Sequence, residues 1–599
     1  MIKRNIQALM IVVLLFAANR SGFAQEDMKE QQQNMNREMT LEREYDPIVQ
    51  DAAKVNILPE VPEIVITKRP IVYSDYTAPV STKKIINVLP SSVLMTDVEH
   101  GMRNGYLHLG GGMSMNLVGD IGYKLINTDA DVLSAYFSHR SANGNVTPLD
   151  GDYEKRKAKF NDNLAALDLK HFFDNITLNL GGNFGYSTFN YYGIYSPPDI
   201  ASSPYADPDT ATNQSNRIIN VYAGVATNST ASTGYHIGVD YTGFKQKYSL
   251  SKELDGMNEN NFGINLGLNS PENDGKRFGA DLKMNFLSYT AAMQSRLPRL
   301  DSAAFDARFD ATLNPYFLLE DEKLRLLVGV NLSLTTQGGE TDVFASPNMS
   351  LDVPFANTGL FYIKLGGGLA SNTMAELSRT NRYINPAFTP DPSKTWADAK
   401  LGVSSSPSAG LWFDLFAGYK YTVAEVLYSP FVDSEYDAFK NVSVAYQPTV
   451  QRFNVGASLK YDYRRLFDFY IKGVFNSYNL KHEETWKNAY MDHSIDKDTE
   501  IEAYGLPSLT LNLGINARPL TPLTISLDYC MLSGLYARVN MENVEMKSIN
   551  DLRLRASWKF GDTFGVYAQF NNLLFQKQEL YYGYPLQPFT AMAGININF

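Results

Sequence analysis

The sequence predicts an all-β fold: a closed transmembrane β-barrel of about 22 antiparallel strands (range 18–22), preceded by an extended periplasmic segment. Three observations predict it. Apolar and polar residues alternate with period two through repeated segments about ten residues long. The connections between those segments alternate between short and long. A secretory leader opens the chain, and no later stretch has the ~18 uninterrupted apolar residues of a membrane helix.

Residues 1–24, "MIKRNIQALMIVVLLFAANRSGFA", form the leader. Lys3 and Arg4 make a basic start, Ile6 to Ala18 is mostly apolar, and the small residues Gly22 and Ala24 stand where a signal peptidase cuts. An exported chain that enters a membrane without a helix must close into a barrel, because lipid satisfies no open backbone edge.

Residues 25–103 read as an extended Pro-rich segment, lying either in the periplasm or inside the lumen. Prolines at 47, 59, 62, 70, 79 and 90 block long helices and interior strands. Fully stretched, the residues from 26 to 103 reach at most ~250 Å.

The barrel is expected over 104–599. In "FNVGASLKYDYRRLFDFYIKGVFNSY" (453–478), Phe453, Val455, Ala457 and Leu459 fall on one face, and Asn454, Ser458 and Lys460 on the other. Arg464 and Arg465 mark a tight turn. Alternation then resumes with Phe467, Phe469 and Ile471 against Asp468 and Lys472. The pattern recurs at 509–530, where Leu511, Leu513 and Leu527 oppose Asn512 and Asp528, and at 552–570, where Leu554, Ala556 and Trp558 oppose Arg553, Arg555 and Lys559. These charges all fall on the polar file. A Lys or Arg facing lipid at the bilayer centre costs about 2–4 kcal/mol, so the polar file faces inward. A soluble sandwich also alternates, but it rarely keeps ten-residue strands with short turns at one end and long loops at the other.

Short turns such as "FFDN", "DYRR" and "GDT" are expected in the periplasm. Long connections, at 142–160, 195–214, 372–395, 426–445 and 481–505, are expected outside the cell. The chain then ends in the periplasm with "AMAGININF". Ile595, Ile597 and Phe599 lie on its apolar file, and they read as the closing strand and C-terminal signal for the outer-membrane assembly machinery. The expected location is the outer membrane of a Gram-negative bacterium.

The last strands, "VYAQFNNLLFQKQELYYGYPLQPFTAMAGININF", carry Asn572-Leu573, Tyr581-Tyr582, Tyr584-Pro585 and the terminal Phe599. This stretch resembles the end of the TonB-dependent receptor barrel. The family's usual Pro-Gly-Arg before the last strand is replaced by "PLQPFT", and residues 26–103 are too few for the family's standard plug domain. The resemblance implies nutrient or solute uptake across the outer membrane, with a TonB-type energy coupler as partner. Glu63, Ile64, Val65, Ile66 and Thr67, in "EIVITKRP", resemble the short box that pairs with the coupler by strand addition. A short strand or a lumen lining fits the same residues. The alternative function is a non-transporting scaffold that docks surface lipoproteins or an outer-membrane protein assembly complex.

The remaining chemistry is sparse. A net charge of −11 argues against nucleic acid as a partner, and one cysteine, Cys530, excludes an internal disulfide. No HExxH, GxSxG or phosphate-loop motif is present, so no catalytic residue, cofactor or metal is assigned and an enzyme is not expected. His482, Glu483, Glu484, Asp492 and His493 share one external loop and read as a solvated acidic loop. Outer-membrane lipid is the remaining partner. "LGGG" at 109–112 and 365–368 reads as glycines that permit close packing or bends within strands.

Overall fold

A computed structural model describes residues 103–149, 155–193, 213–228, 233–248, 256–290, 306–356, 358–384, 390–430, 442–481, 500–539 and 542–599. The leader, the segment 25–102 and the His/Glu loop lie outside the described residues.

Twenty-two antiparallel strands form one sheet, and its first strand, Gly105–Gly112, pairs with its last, Thr590–Asn598. Closure leaves no open edge, the only β arrangement that lipid tolerates. The seam runs in register from Tyr106 opposite Asn598 to Gly112 opposite Met592. Mutual backbone hydrogen bonds between Gly105 and Phe599, 2.8 and 2.9 Å, finish it at the periplasmic rim.

Alternation decides which face meets lipid. Leu415, Phe453, Val455, Phe475, Ile515 and Trp558 are all exposed on the outer surface. The opposite file carries cross-strand polar contacts: Tyr222 Oη donates to Asp168 at 2.5 Å, and Tyr362 Oη to Asp414 at 2.8 Å. Lys460, Asp468, Lys472, Asp528, Arg553, Arg555 and Lys559 belong to this inner file, in register with inner-facing partners.

Many strands are longer than the membrane needs. Asp131–Val146 and Arg156–Phe172 continue through most of the expected 142–160 loop, pairing up to Val146 opposite Arg156. A strand of 17 residues spans roughly 55 Å, or about 40 Å when tilted by 45°, against an apolar band of about 25 Å. The excess forms a sheet collar outside the bilayer. Two external connections are short, Met113–Asn116 and Gly338–Gly339, so the long-and-short rule has exceptions.

The two glycine runs have different reasons. A side chain at Gly110 or Gly594 would strike the inward ring of Tyr567, which lies across both strands at the seam. At 366–368 the register shifts by a bulge, Gly368 takes φ +144°, and a Cβ on Gly367 would meet Ser346 and the Thr395 carbonyl.

Candidate functional site

The site is the lumen, and near its external end one of the barrel's own loops crosses it. The connection after Gly359–Ala370 turns inward and forms a short helix, Met374–Thr380. Thr373 begins this helix because its hydroxyl accepts from the Glu376 amide while the Glu376 carboxylate accepts from the Thr373 amide. A seven-residue helix is too short to persist unaided. The wall holds it: buried Glu259, on strand Asn258–Asn269, accepts the amides of Met374 and Ala375, the latter at 3.1 Å. Burial holds the Arg379 guanidinium of this helix below its ordinary value, against the opposing pull of Glu376 and Glu259.

Fully buried Arg308 anchors both ends of the same loop. Its guanidinium donates to the Pro390 carbonyl at 2.9 Å and to the Ser371 carbonyl, with Asp310 at 3.2 Å balancing its charge. Gln447, from the neighbouring connection, accepts from the Asp391 amide at 2.9 Å and donates to its carbonyl at 2.8 Å.

Beyond the helix the loop crosses toward the far side. Arg382 pairs with Asp162 at 3.0 Å, and its guanidinium lies 4.7 Å from the Phe160 ring centroid. Tyr383 stacks on Tyr584, from the connection before the last strand, at 3.7 Å between centroids. Tyr192 meets both rings edge-on at 5.8 and 5.0 Å and donates to the Pro585 carbonyl at 3.0 Å. Tyr581 donates to the Thr380 carbonyl at 2.6 Å. The loop that follows Gly359–Ala370 is thereby tied to the strand Arg156–Phe172 and to the connection before the last strand, across the lumen. The result is a cap: an aromatic centre ringed by charged latches to the wall.

Below the cap the wall is polar and unevenly charged. Lys364, Lys400, Lys460 and Lys472 project from one arc, the first three over the rings of Tyr362, Phe416 and Trp412 at 3.9–5.7 Å. Asp240 and Asp281, with Lys283, mark a second arc on Gly234–Gln246 and Lys276–Thr290. Among the described residues no cluster of three His, Cys, Asp or Glu side chains has a metal-holding arrangement.

Of the residues singled out in the sequence, Ile595, Ile597 and Phe599 sit at the seam. Ile595 and Ile597 are directly opposite Leu109 and Leu107, and the Phe599 ring stacks 5.9 Å from Tyr123. Glu63 to Thr67 lie outside the described residues. The cap residues Glu259, Arg308, Arg382 and Tyr383 were not singled out, and Tyr581 and Tyr584 were noted only as part of the C-terminal resemblance. One signal pointed to them: Phe160, Phe189, Phe244 and Leu287 are large apolar residues on the inner file at the external strand ends, where a solvated lumen would want polar ones.

No protein-family profile matches the chain, and no curated protein does. Solved structures do. The FrpB iron transporter from Neisseria meningitidis (F3-3 variant) superposes with a TM-score of 0.62 at 11% identity, over 83% of this chain and 81% of that one. The siderophore receptor PirA from Acinetobacter baumannii gives 0.61 at 10%, over 83% and 80%. The copper transporter OprC gives 0.56 at 10%, again over 83% and 80%. At such identity the likeness is one of fold: the chain resembles the TonB-dependent receptors and shares their 22-stranded outer-membrane barrel. A closed barrel of this kind with an apolar outer face belongs in the outer membrane of a Gram-negative bacterium.

Proposed function

We propose that the chain is a gated uptake barrel of the TonB-dependent-receptor type, which admits a nutrient or solute from outside through the lumen. The cap carries this reading. It spans the lumen yet is joined to the wall by a few discrete latches, at Glu259, Arg308 and Arg382, around an aromatic centre. Such a structure has two states available to it, latched and released, as a gate requires. The barrel's structural neighbours are transporters and receptors by name, which supports uptake over the scaffold alternative.

In this reading Glu63, Ile64, Val65, Ile66 and Thr67 offer a strand to a TonB-type coupler in the periplasm, below the barrel mouth. Residues 595–599 present the apolar strand edge that the assembly machinery takes up during insertion. A surface lipoprotein would meet the external loops.

Planar-bilayer conductance tests the gate. Replacing 374–384 with a Gly-Ser linker should convert a silent barrel into one with stable current steps. If that variant stays silent even after removal of 26–103, while still showing the heat-modifiable mobility of a folded barrel, the cap is not a gate.

A further inference from the structure

We propose that the lysine-lined arc of the lumen is the docking surface for the acidic stretch 38–60 of this same chain. The four lysines come from four of five consecutive strands: Lys364 on Gly359–Ala370, Lys400 on Ser393–Ser408, then, past Leu411–Val423, Lys460 on Thr449–Tyr463 and Lys472 on Phe467–Lys481. Lys364 and Lys400 stand directly opposite each other in register, a pairing that destabilises a sheet unless a counter-charge is supplied. Lys400 is also repelled by Lys472, and Lys472 by Lys460.

The arc's own acids do not balance them. Of the inward carboxylates on these strands, Asp414 is buried and engaged by Tyr362 and Asp468 by Arg518 and Asn516, which leaves Asp398 and Asp462 against four ammonium groups. Among the described residues none of the four lysines has a carboxylate within ion-pair distance. Lys364 and Lys460 are exposed, and Lys400 and Lys472 half-buried, so their charges face the open lumen. The other arc, with Asp240 and Asp281, carries the opposite sign and offers no such surface.

The occupant is identified by charge and by position. Residues 38–60 hold six acidic side chains, from Glu38 to Glu60, against Arg43 and Lys54, a net of −4. The segment joins the barrel at the periplasmic rim, where Arg103 contacts the Gly561–Thr563 turn at Asp562. The lysines are reached from that same side: Lys460 lies three residues from the periplasmic end of its strand, and the cap crosses the lumen at the other end. The forty residues from 63 to 103 extend to about 130 Å, far more than the return path into the lumen requires. This inference concerns what occupies the lumen and stands whether or not a solute is taken up.

Cysteine cross-linking in native membranes tests it. In a Cys530→Ser background, Glu44→Cys or Asp46→Cys is paired with Lys400→Cys or Lys472→Cys, leaving three lysines in place. Oxidation should give an intramolecular cross-link in most of the folded barrel. Pairing the same segment positions with Asp240→Cys on the opposite arc should give at least five-fold less. Exchanging signs at Glu42, Glu44 and Asp46 (to Lys) should abolish the cross-link to a neighbouring position, and Lys364→Glu with Lys460→Glu should restore it. Three results overturn the proposal: equal cross-linking to both arcs, no cross-link in a barrel of normal heat-modifiable mobility, or a cross-link formed mainly to a second protein.

Discussion

At the scale of single residues, adjacent positions face different solvents, and cost follows the face. Val221 is half-exposed on the outer surface near the middle of Asn213–Thr227. Its neighbour Asn220 points inward and donates to Thr242 at 2.9 Å while accepting from Asn183 at 3.3 Å. Val221→Lys should therefore cost about 2–4 kcal/mol in the bilayer. Asn220→Lys should cost only about 1 kcal/mol, for the lost hydrogen bonding. Urea unfolding of the barrel in lipid vesicles measures both, and equal costs would contradict the assigned faces. This level was legible in the sequence because the bilayer enforces it. Lys460, Asp468 and Arg553 all fell on the polar file, and all are found on the inner one.

At the scale of elements, legibility divides. Hairpins such as Thr449–Tyr463 with Phe467–Lys481 were readable because pairing is local and the turn residues sit between the partners. The cap was not, because its contacts join positions far apart in the chain: Arg382 and Asp162 are separated by 220 residues, Tyr581 and Thr380 by 201. No short-range periodicity encodes such pairs. The latches differ in kind, and that difference is testable. Glu259→Ala leaves two helix amides without their acceptor in a buried setting, a loss of about 1–3 kcal/mol each. Arg382→Ala strands the buried Asp162 carboxylate, whose remaining partner is the Ser187 hydroxyl, and should cost about 3–5 kcal/mol. Neither should unfold the barrel, whose ladder is untouched. Both should appear as faster proteolysis or hydrogen exchange confined to 371–392, centred on the helix for Glu259→Ala and on 381–384 for Arg382→Ala. The box proposed to pair with a coupler follows a separate rule. If 63–67 is added as a strand to a partner sheet, Ile64→Pro removes a ladder donor and should abolish binding of a TonB-type periplasmic domain to a peptide spanning 60–70, whereas Ile64→Val should leave it intact.

At the scale of the whole molecule, one seam decides whether 22 strands make a barrel or an open sheet. The first strand has only eight residues, three of them consecutive glycines, and the last has nine. With seven paired positions it is among the shortest ladders around the ring, yet every other strand depends on it for closure, since an unclosed edge leaves its amides and carbonyls bare in lipid. The glycines weaken the seam by entropy but admit the Tyr567 ring, which packs across Gly110 and Gly594 from the adjoining strand and lies 4.9 Å from the His108 ring. His108 in turn contacts Asp120 at 3.2 Å on the second strand, so a polar and aromatic bridge stitches the closing strands from inside. Outside, the Phe599 ring covers Gly105 and stacks on Tyr123. Removing Phe599 should therefore weaken closure twice over, taking away the final pair of backbone bonds to Gly105 and the aromatic cover of the rim. The expected outcome is slower conversion to the heat-modifiable folded form in vesicles, by about five-fold or more, with little change in barrels already closed. Phe599→Tyr keeps the backbone bonds and the ring and should fold normally. Equal slowing in both variants would assign the effect to something other than the aromatic seam.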